Sequence, residues 1–296
     1  MTTAGSGGGV FLVGGQIIDD TPRLVDTLWH WNGTRWRAVS DAGPRNRTLP
    51  AAAFDSRRGV LVVYGGVAIG SGTRFGDTWE WNGQRWEERN VRTPGARDHH
   101  AMAFDEARGQ VVLYGGAGPS GPPFAKDTWT YDGTVWVRAD TVSGPGGLVH
   151  HAMAYDSRRQ RVVMVGGFDE SNRRTTDTWE WDGARWQRAT TDGPTPTARS
   201  HHRLAYDAAR GVTVLFGGGR RTNETWTWDG VQWKQHMAAS GPPGRDTHAM
   251  AYDAARGRVV LYGGGGDRGK GVAPYGYLDD VWEWDGTRWT RAPSAP

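Results

Sequence analysis

The fold of this chain is decided by a stretch that reads HAMAFDEARGQVVLYGG at residues 100–116 and continues as DTWTYDGTVW at residues 127–136. The first part holds two short apolar runs and ends in a glycine pair. The second part alternates aromatic and polar residues and contains an Asp-Gly turn, which is among the strongest signals for a β-hairpin. The stretch therefore predicts four short antiparallel strands in succession.

The same pattern occurs six times. Glycine pairs recur every 46 to 51 residues and begin at Gly14, Gly65, Gly115, Gly166, Gly217 and Gly263. A W-x-W-[ND]-G-x-x-W motif follows each pair, and the six copies use all 17 Trp, with Tyr131 in the remaining position. No apolar pattern has the 3.6-residue period of a helix. Four-stranded units of about 50 residues are typical of the blades of a β-propeller.

A glycine pair after an apolar strand, followed by Asp-Thr-Trp-x-Trp and a further Trp five residues later, resembles the kelch repeat. The resemblance covers residues 10–292 and implies an all-β, six-bladed kelch-type propeller with four-stranded blades and almost no helix. We predict a single domain over residues 1–296. Because residues 1–4 match the repeat poorly, we expect blade 1 to lack a proper inner strand. Known kelch propellers include protein binders, oxidases, epimerases and specifier proteins, so the resemblance leaves the function open.

Composition excludes several classes of function. The chain has no Cys, which excludes disulfides, thiolate metal sites, a Cys nucleophile and the Cys-Tyr cofactor of kelch copper oxidases. A net charge of +3 without a basic stripe predicts no nucleic-acid partner. No apolar run approaches 18 residues, so we expect no membrane span. Residues 1–9 do not resemble a signal peptide, which predicts a cytoplasmic protein; a leader already removed would leave the same N-terminus. We also expect the protein to be a monomer.

The candidate site lies on the face that varies between blades. Two sets of loops differ from copy to copy: those between the fourth strand of one blade and the first strand of the next, and those between the second and third strands of a blade. The other turns are nearly identical in all copies. Variable loops on a uniform scaffold commonly carry function. Three groups of residues in these loops are not explained by the repeat: the arginines Arg47, Arg97, Arg199 and Arg245; the histidines His99, His150 and His201; and Asp98, Phe168, Asp169, Tyr275 and Tyr277.

These residue types favour an anionic, partly aromatic small molecule as the ligand. Guanidinium groups bind carboxylate or phosphate through paired hydrogen bonds. The three histidines suit acid–base work, oriented by Asp98 or Asp169, in a non-redox isomerase, lyase or cyclase of a biosynthetic pathway. Phe168, Tyr275 and Tyr277 would form the walls. In the alternative interpretation, each arginine pairs with a carboxylate of a neighbouring blade and is structural.

Two further hypotheses remain open. His99, His150 and His201 come from three consecutive blades and could bind a divalent metal through imidazole nitrogens, although four arginines nearby would oppose a cation. No other cofactor is predicted. Alternatively, the protein is an interaction scaffold that binds a protein partner through the loop 265–279, because Tyr and Arg are enriched at the centres of protein interfaces.

Overall fold

Six antiparallel sheets of four strands each follow one another along the chain, as the repeat predicts. The structure, a computed structural model, describes residues 1–3, 8–17, 23–139, 144–219, 221–237, 240–266 and 276–293. Within these ranges the regular structure consists of β-strands and includes no helix. Accordingly, the described residues contain no helix that is long and apolar enough to cross a membrane.

The first three sheets, blades 1 to 3, take up residues 2–139. Blade 1 comprises β1 (Thr2–Thr3), β2 (Val10–Leu12), the two strands β3 (Gln16–Ile17) and β4 (Arg23–Leu24) of a separate hairpin, β5 (Leu28–Trp31) and β6 (Trp36–Ser40). Blade 2 comprises β7 (Ala51–Asp55), β8 (Val60–Tyr64), β9 (Thr78–Trp81) and β10 (Trp86–Arg89). Blade 3 comprises β11 (Ala101–Asp105), β12 (Gln110–Tyr114), β13 (Thr128–Tyr131) and β14 (Trp136–Ala139).

Blades 4 to 6 repeat this arrangement. Blade 4 comprises β15 (Ala152–Asp156), β16 (Arg161–Val165), β17 (Thr178–Trp181) and β18 (Trp186–Arg188). Blade 5 comprises β19 (Arg203–Asp207), β20 (Val212–Phe216), β21 (Thr225–Trp228) and β22 (Trp233–His236). Blade 6 comprises β24 (Ala249–Asp253), β25 (Arg258–Tyr262), β28 (Val281–Trp284) and β29 (Trp289–Arg291), while β23 (Arg245–Asp246), β26 (Gly265–Gly266) and β27 (Gly276–Tyr277) form a small sheet beside it.

The inner strands of the six blades surround a central channel. Each contacts the inner strand of the next blade, and β1 contacts both β24 and β7, so the ring of blades is complete. Blade 1 has an inner strand of only two residues, in which Thr2 pairs with Phe11 and Thr3 with Val10. The weak match of residues 1–4 to the repeat thus corresponds to a shortened inner strand.

The hydrophobic core is divided among the gaps between blades. Each of the six gaps holds its own apolar cluster, including the one between blade 6 and blade 1. The second strand of a blade is covered on both faces, so Val111 to Tyr114 are all at most 1% exposed. This explains why these strands are continuous apolar runs rather than alternating ones. The inner strands carry small alanines where the blades converge.

Tryptophans of the outer strands link neighbouring blades. In four copies the indole N–H donates to a threonine at the start of the third strand of the preceding blade: Trp136 to Thr78, Trp186 to Thr128, Trp233 to Thr178 and Trp289 to Thr225, at 2.8–3.0 Å. The buried indole nitrogens of Trp36 and Trp86 lack a hydrogen-bond partner in the described part of the chain. The reason is that Val281 and Leu28 occupy the threonine position in blades 6 and 1.

The Thr–Trp hydrogen bond predicts opposite effects for two isosteric substitutions. Thr178→Val leaves the Trp233 N–H buried and unpaired and should lower the free energy of unfolding by about 1–3 kcal/mol. Val281→Thr supplies an acceptor at the corresponding position for Trp36 and should raise the free energy of unfolding by up to about 1 kcal/mol. Urea denaturation followed by tryptophan fluorescence measures both. A stability of Thr178→Val equal to that of the unaltered protein would contradict this prediction.

A second group of histidines packs between the blades. His100, His151 and His248 lie edge-on to an aromatic ring of the preceding blade, with ring centroids 5.5–5.8 Å apart. The ring nitrogens of His100, His202 and His248 have no hydrogen-bond partner among the described residues. Burial lowers the pKa of His100 to about 3 and that of His151 to about 4, and it also holds the pKa values of His202 and His248 well below the usual range. These four imidazoles are therefore neutral at pH 7.

Candidate functional site

A ring of residues in the left-handed backbone conformation surrounds the mouth of the channel. Each is the second residue before an inner strand, from blade 2 to blade 6, and has φ between 54° and 59°: Leu49, His99, His150, His201 and Thr247. Positive φ is uncommon for residues other than glycine, although histidine is among those enriched there. The turn at each of these residues brings its side chain to the mouth.

Backbone hydrogen bonds join this ring from blade to blade. The amide of His150 donates to the carbonyl of His99 at 3.1 Å, and the amide of His201 donates to the carbonyl of His150 at 3.0 Å. The amide of Thr247 continues the series to the carbonyl of His201, also at 3.0 Å. The mouth is therefore held together across blades 3 to 6 by main-chain contacts that do not depend on the side chains.

The three predicted histidines lie against one another at the mouth. Together with Phe168, they are called the histidine cluster. The ring centroids of His99 and His150 are 3.9 Å apart, and those of His150 and His201 are 3.8 Å apart. Phe168 lies edge-on to both His150 and His201, at 6.0 and 6.1 Å. The three imidazoles are half-buried. The cluster thus presents a partly accessible aromatic surface at the mouth.

Burial and mutual repulsion keep the cluster largely uncharged. Burial, followed by the charges that His99 and His201 would carry, lowers the pKa of His150 to about 2. Burial also lowers the pKa of His201 to about 4. Two of the three imidazoles are therefore neutral near pH 7 and can each donate one hydrogen bond and accept another.

His99 has a carboxylate beside it. Its Nδ1 lies 2.9 Å from Oδ1 of Asp98, and Nε of Arg74 lies 3.1 Å from the same oxygen. Burial alone would raise the pKa of Asp98, but His99 and Arg74 together hold it below the usual range. Asp98 is therefore ionised at neutral pH, and it orients the His99 ring.

Arginines in the loops between second and third strands contact Ser200 and Asp246, which directly precede His201 and Thr247 of the ring. Arg174 Nε donates to Ser200 Oγ at 3.2 Å, and Arg221 lies 3.2 Å from Asp246. Ser200 Oγ is 3.0 Å from Nδ1 of His201, and the guanidinium of Arg174 also lies over the Phe168 ring at 5.0 Å. The contacts of Arg174 with Ser200 and of Arg221 with Asp246 join neighbouring blades, whereas those of Arg174 with Phe168 and of Ser200 with His201 position side chains of the cluster.

The four arginines predicted to bind an anion lie in buried ion pairs instead. Each pairs with a carboxylate at the start of the third strand of the blade that follows it and donates to the carbonyl of a paired glycine at 3.0 Å. The ion pairs are Arg47–Asp77 at 2.6 Å, Arg97–Asp127 at 2.8 Å, Arg199–Glu224 at 2.5 Å and Arg245–Asp280 at 2.6 Å. These arginines are at most 5% exposed, so their role is structural, as in the alternative interpretation. Their partner carboxylates lie in the same blade rather than in a neighbouring one.

The remaining predicted residues are dispersed. Asp169 accepts hydrogen bonds within its own loop, from the amides of Ser171 and Arg173 at 2.9 Å and from Nε of Arg173 at 3.0 Å. Tyr277 lies in β27, pairs with Gly265 and is 48% exposed. Tyr275 and most of the predicted partner-binding loop 265–279 lie outside the described residues.

The metal hypothesis requires converging ligands. The three histidine rings instead lie against one another in sequence, with their planes inclined at 57° and 35°. In the part of the chain that the structure describes, no group of three or more His, Asp or Glu residues is arranged to hold a metal ion.

One residue near the axis was missed by the sequence interpretation. Arg203 begins β19, at the repeat position that alanine occupies in four other blades: Ala51, Ala101, Ala152 and Ala249. It is half-buried, and its Nη1 donates a hydrogen bond to the carbonyl of His202 at 3.3 Å. The signal was present in the sequence, because blade 5 reads His-Arg-Leu-Ala where blade 3 reads His-Ala-Met-Ala.

Comparison with known proteins places the repeat in a family. A family model described as the KLHDC2/KLHL20/DRC7 Kelch-repeats domain matches residues 1–218, which covers nearly three quarters of the chain. The match extends from blade 1 through β20 of blade 5. No curated protein sequence matches the chain.

Proposed function

The chain belongs to the kelch-repeat family, whose domains commonly bind protein partners, and from this premise we propose that it is a binding module that holds a segment of a partner protein at the mouth of its channel. The histidine cluster carries the proposal. The backbone turn does not require imidazole, because Leu49 and Thr247 occupy the same position with the same positive φ in blades 2 and 6. Three adjacent blades nevertheless carry histidine there.

The chemistry of the cluster suits a polypeptide ligand. Neutral imidazoles present both a donor and an acceptor, which matches the amide and carbonyl groups of a peptide backbone. The faces of the rings and Phe168 supply an apolar surface for an aromatic or aliphatic side chain. Because His150 and His201 are neutral, attraction to a simple anion is not the main contribution of these two residues.

A selection experiment tests this function. We expect a displayed library of linear peptides to yield binders of the unaltered protein, and replacing both His150 and His201 by Asn should weaken their binding at least tenfold. Asn tolerates the left-handed conformation, so this double variant removes the rings while keeping the turn. Fluorescence anisotropy with the enriched peptides measures the dissociation constants.

The matched control is Val231→Asn, which alters a residue that is 73% exposed in a turn of the uniform face. This variant should bind the enriched peptides like the unaltered protein. If the selected peptides bind the His150/His201 double variant with unchanged affinity, the channel mouth is not the recognition surface.

One observation favours a second candidate function, which is non-redox acid–base chemistry on a small anionic molecule. The Asp98 carboxylate 2.9 Å from Nδ1 of His99 would leave Nε2 of that ring as a base. The ion-paired arginines do not support this candidate, because their donors are already engaged. Turnover that is lost in Asp98→Asn, with ligand affinity retained, would distinguish it from simple binding.

A further inference from the structure

Arg203 is a long, charged residue at an inner-strand position where four other blades have alanine. It pairs in register with Phe216 of β20, as the corresponding alanine of blade 3 pairs with Tyr114. In blades 2, 3, 4 and 6 this position carries the methyl group of alanine, and consecutive inner strands contact each other there. Blade 5 therefore directs a long cationic side chain to a place that the repeat keeps small.

The Arg203 guanidinium has no counter-charge in the described part of the chain. The fully buried arginines that flank its blade differ in this respect, because Arg199 lies 2.5 Å from Glu224 and Arg245 lies 2.6 Å from Asp280. The hydrogen bond of Arg203 to the His202 carbonyl, at 3.3 Å, engages one of its five N–H groups. A cation in this position has unused directional donors.

The surroundings place this guanidinium at the channel. Burial lowers the pKa of His151, His202 and His248 most, and the charge of Arg203 lowers them further; these histidines belong to blades 4, 5 and 6. Burial lowers the pKa of Arg203 itself, yet the side chain keeps accessible area. Arg203 begins an inner strand two residues after His201, which puts it near the mouth of the channel and the histidine cluster.

We propose that Arg203 is the receptor for a small monoanionic carboxylate inside the channel. The planar guanidinium fork matches the two oxygens of a carboxylate. One cation among neutral imidazoles balances a single negative charge and would leave a dianion such as sulfate half uncompensated. This site goes beyond the proposed function, because it does not depend on which polypeptide the mouth binds.

Thermal denaturation in different sodium salts at pH 7.5 and equal ionic strength tests the proposal. With acetate at ten times its dissociation constant, the Tm of the unaltered protein should rise by about 3 °C relative to chloride. Arg203→Ala, which restores the residue of four other blades, should abolish this difference. Sulfate and phosphate act on all proteins through solvation, so only the difference between the two proteins in each salt is compared. That difference should be largest for acetate.

Three results would overturn the assignment: an equal acetate effect in both proteins, no acetate effect in the unaltered protein, or a larger difference in sulfate than in acetate. Arg203→Ala should melt in chloride no lower than the unaltered protein, because it loses an uncompensated charge. A marked loss of Tm in both Arg203→Ala and the bulkier Arg203→Met would show that the protein itself provides a partner. The His150/His201 double variant should keep the acetate response, which separates this site from the peptide surface.

Discussion

Replacing Arg245 by Met is expected to lower the free energy of unfolding by about 3–5 kcal/mol, because removing one partner of a buried ion pair leaves the other charge uncompensated. Arg245 is fully buried and donates two hydrogen bonds to the Asp280 carboxylate, at 2.6 and 3.0 Å. Burial alone would raise the pKa of Asp280, but the bonds from Arg245 and Trp282 hold it below the usual range. Urea denaturation at pH 7 measures the loss.

Two variants control this experiment. Arg203→Met is the same substitution at an arginine without a carboxylate partner, and it should leave the stability unchanged or increase it. Arg245→Met combined with Asp280→Leu removes both charges and should recover a large part of the lost free energy. A loss below about 1 kcal/mol for Arg245→Met would instead support a ligand-binding role for this set of arginines.

Acidification from pH 7 to pH 5 is expected to destabilise the protein strongly through the four histidines between the blades. Burial lowers the pKa of each one in the folded protein, to about 3 for His100 and about 4 for His151. Below a pH of about 6.5 the unfolded chain binds protons at these rings, while the folded protein keeps them neutral. Stability is therefore complete above that pH and falls as the pH decreases towards the folded pKa values.

The size of this effect follows from linkage. At pH 5 each such imidazole reduces the free energy of unfolding by about 2 kcal/mol, so four of them reduce it by about 8 kcal/mol. This is comparable to the whole stability of an ordinary domain. Urea denaturation between pH 7.5 and 5 should show the loss. Titration should show about six protons taken up on unfolding near pH 5, four from these histidines and two from His150 and His201, whose pKa values burial also lowers.

A single-site variant makes the acid prediction specific. His248→Leu keeps an apolar side chain against Phe216 and should reduce the slope of stability against pH by about 1.4 kcal/mol per pH unit. His236→Leu alters a less buried ring and should change the slope less. A stability that is independent of pH between 7 and 5 would contradict the prediction, because it would show that these histidines take up protons equally in the folded and the unfolded protein.

Local patterns were sufficient to predict the blades. The Asp-Gly and Asn-Gly turns, the apolar second strands and the recurring tryptophans are all properties of residues close together in the chain. His100, His151 and His248 pack between blades because the alternation of a strand determines which face each residue occupies.

The ion pairs of the four arginines could not be predicted from such local patterns. Arg47 and Asp77 are 30 residues apart, and only the folded blade brings the guanidinium to within 2.6 Å of the carboxylate. The same sequence position is therefore a structural ion pair rather than an open anion site. Arg203, the first residue of the inner strand β19, is the arginine that the fold leaves without a counter-charge among the described residues.

The sequence by itself determined the repeat, the six blades, the aromatic spacing and the face on which the loops vary, because each depends on short-range periodicity and turn chemistry. Only the tertiary structure decided which polar side chains meet. His99, His150 and His201 lie against one another because three separate blades converge at one mouth with the same left-handed turn. Contacts of this kind depend on distances between blades, and those distances are set when the ring of blades closes.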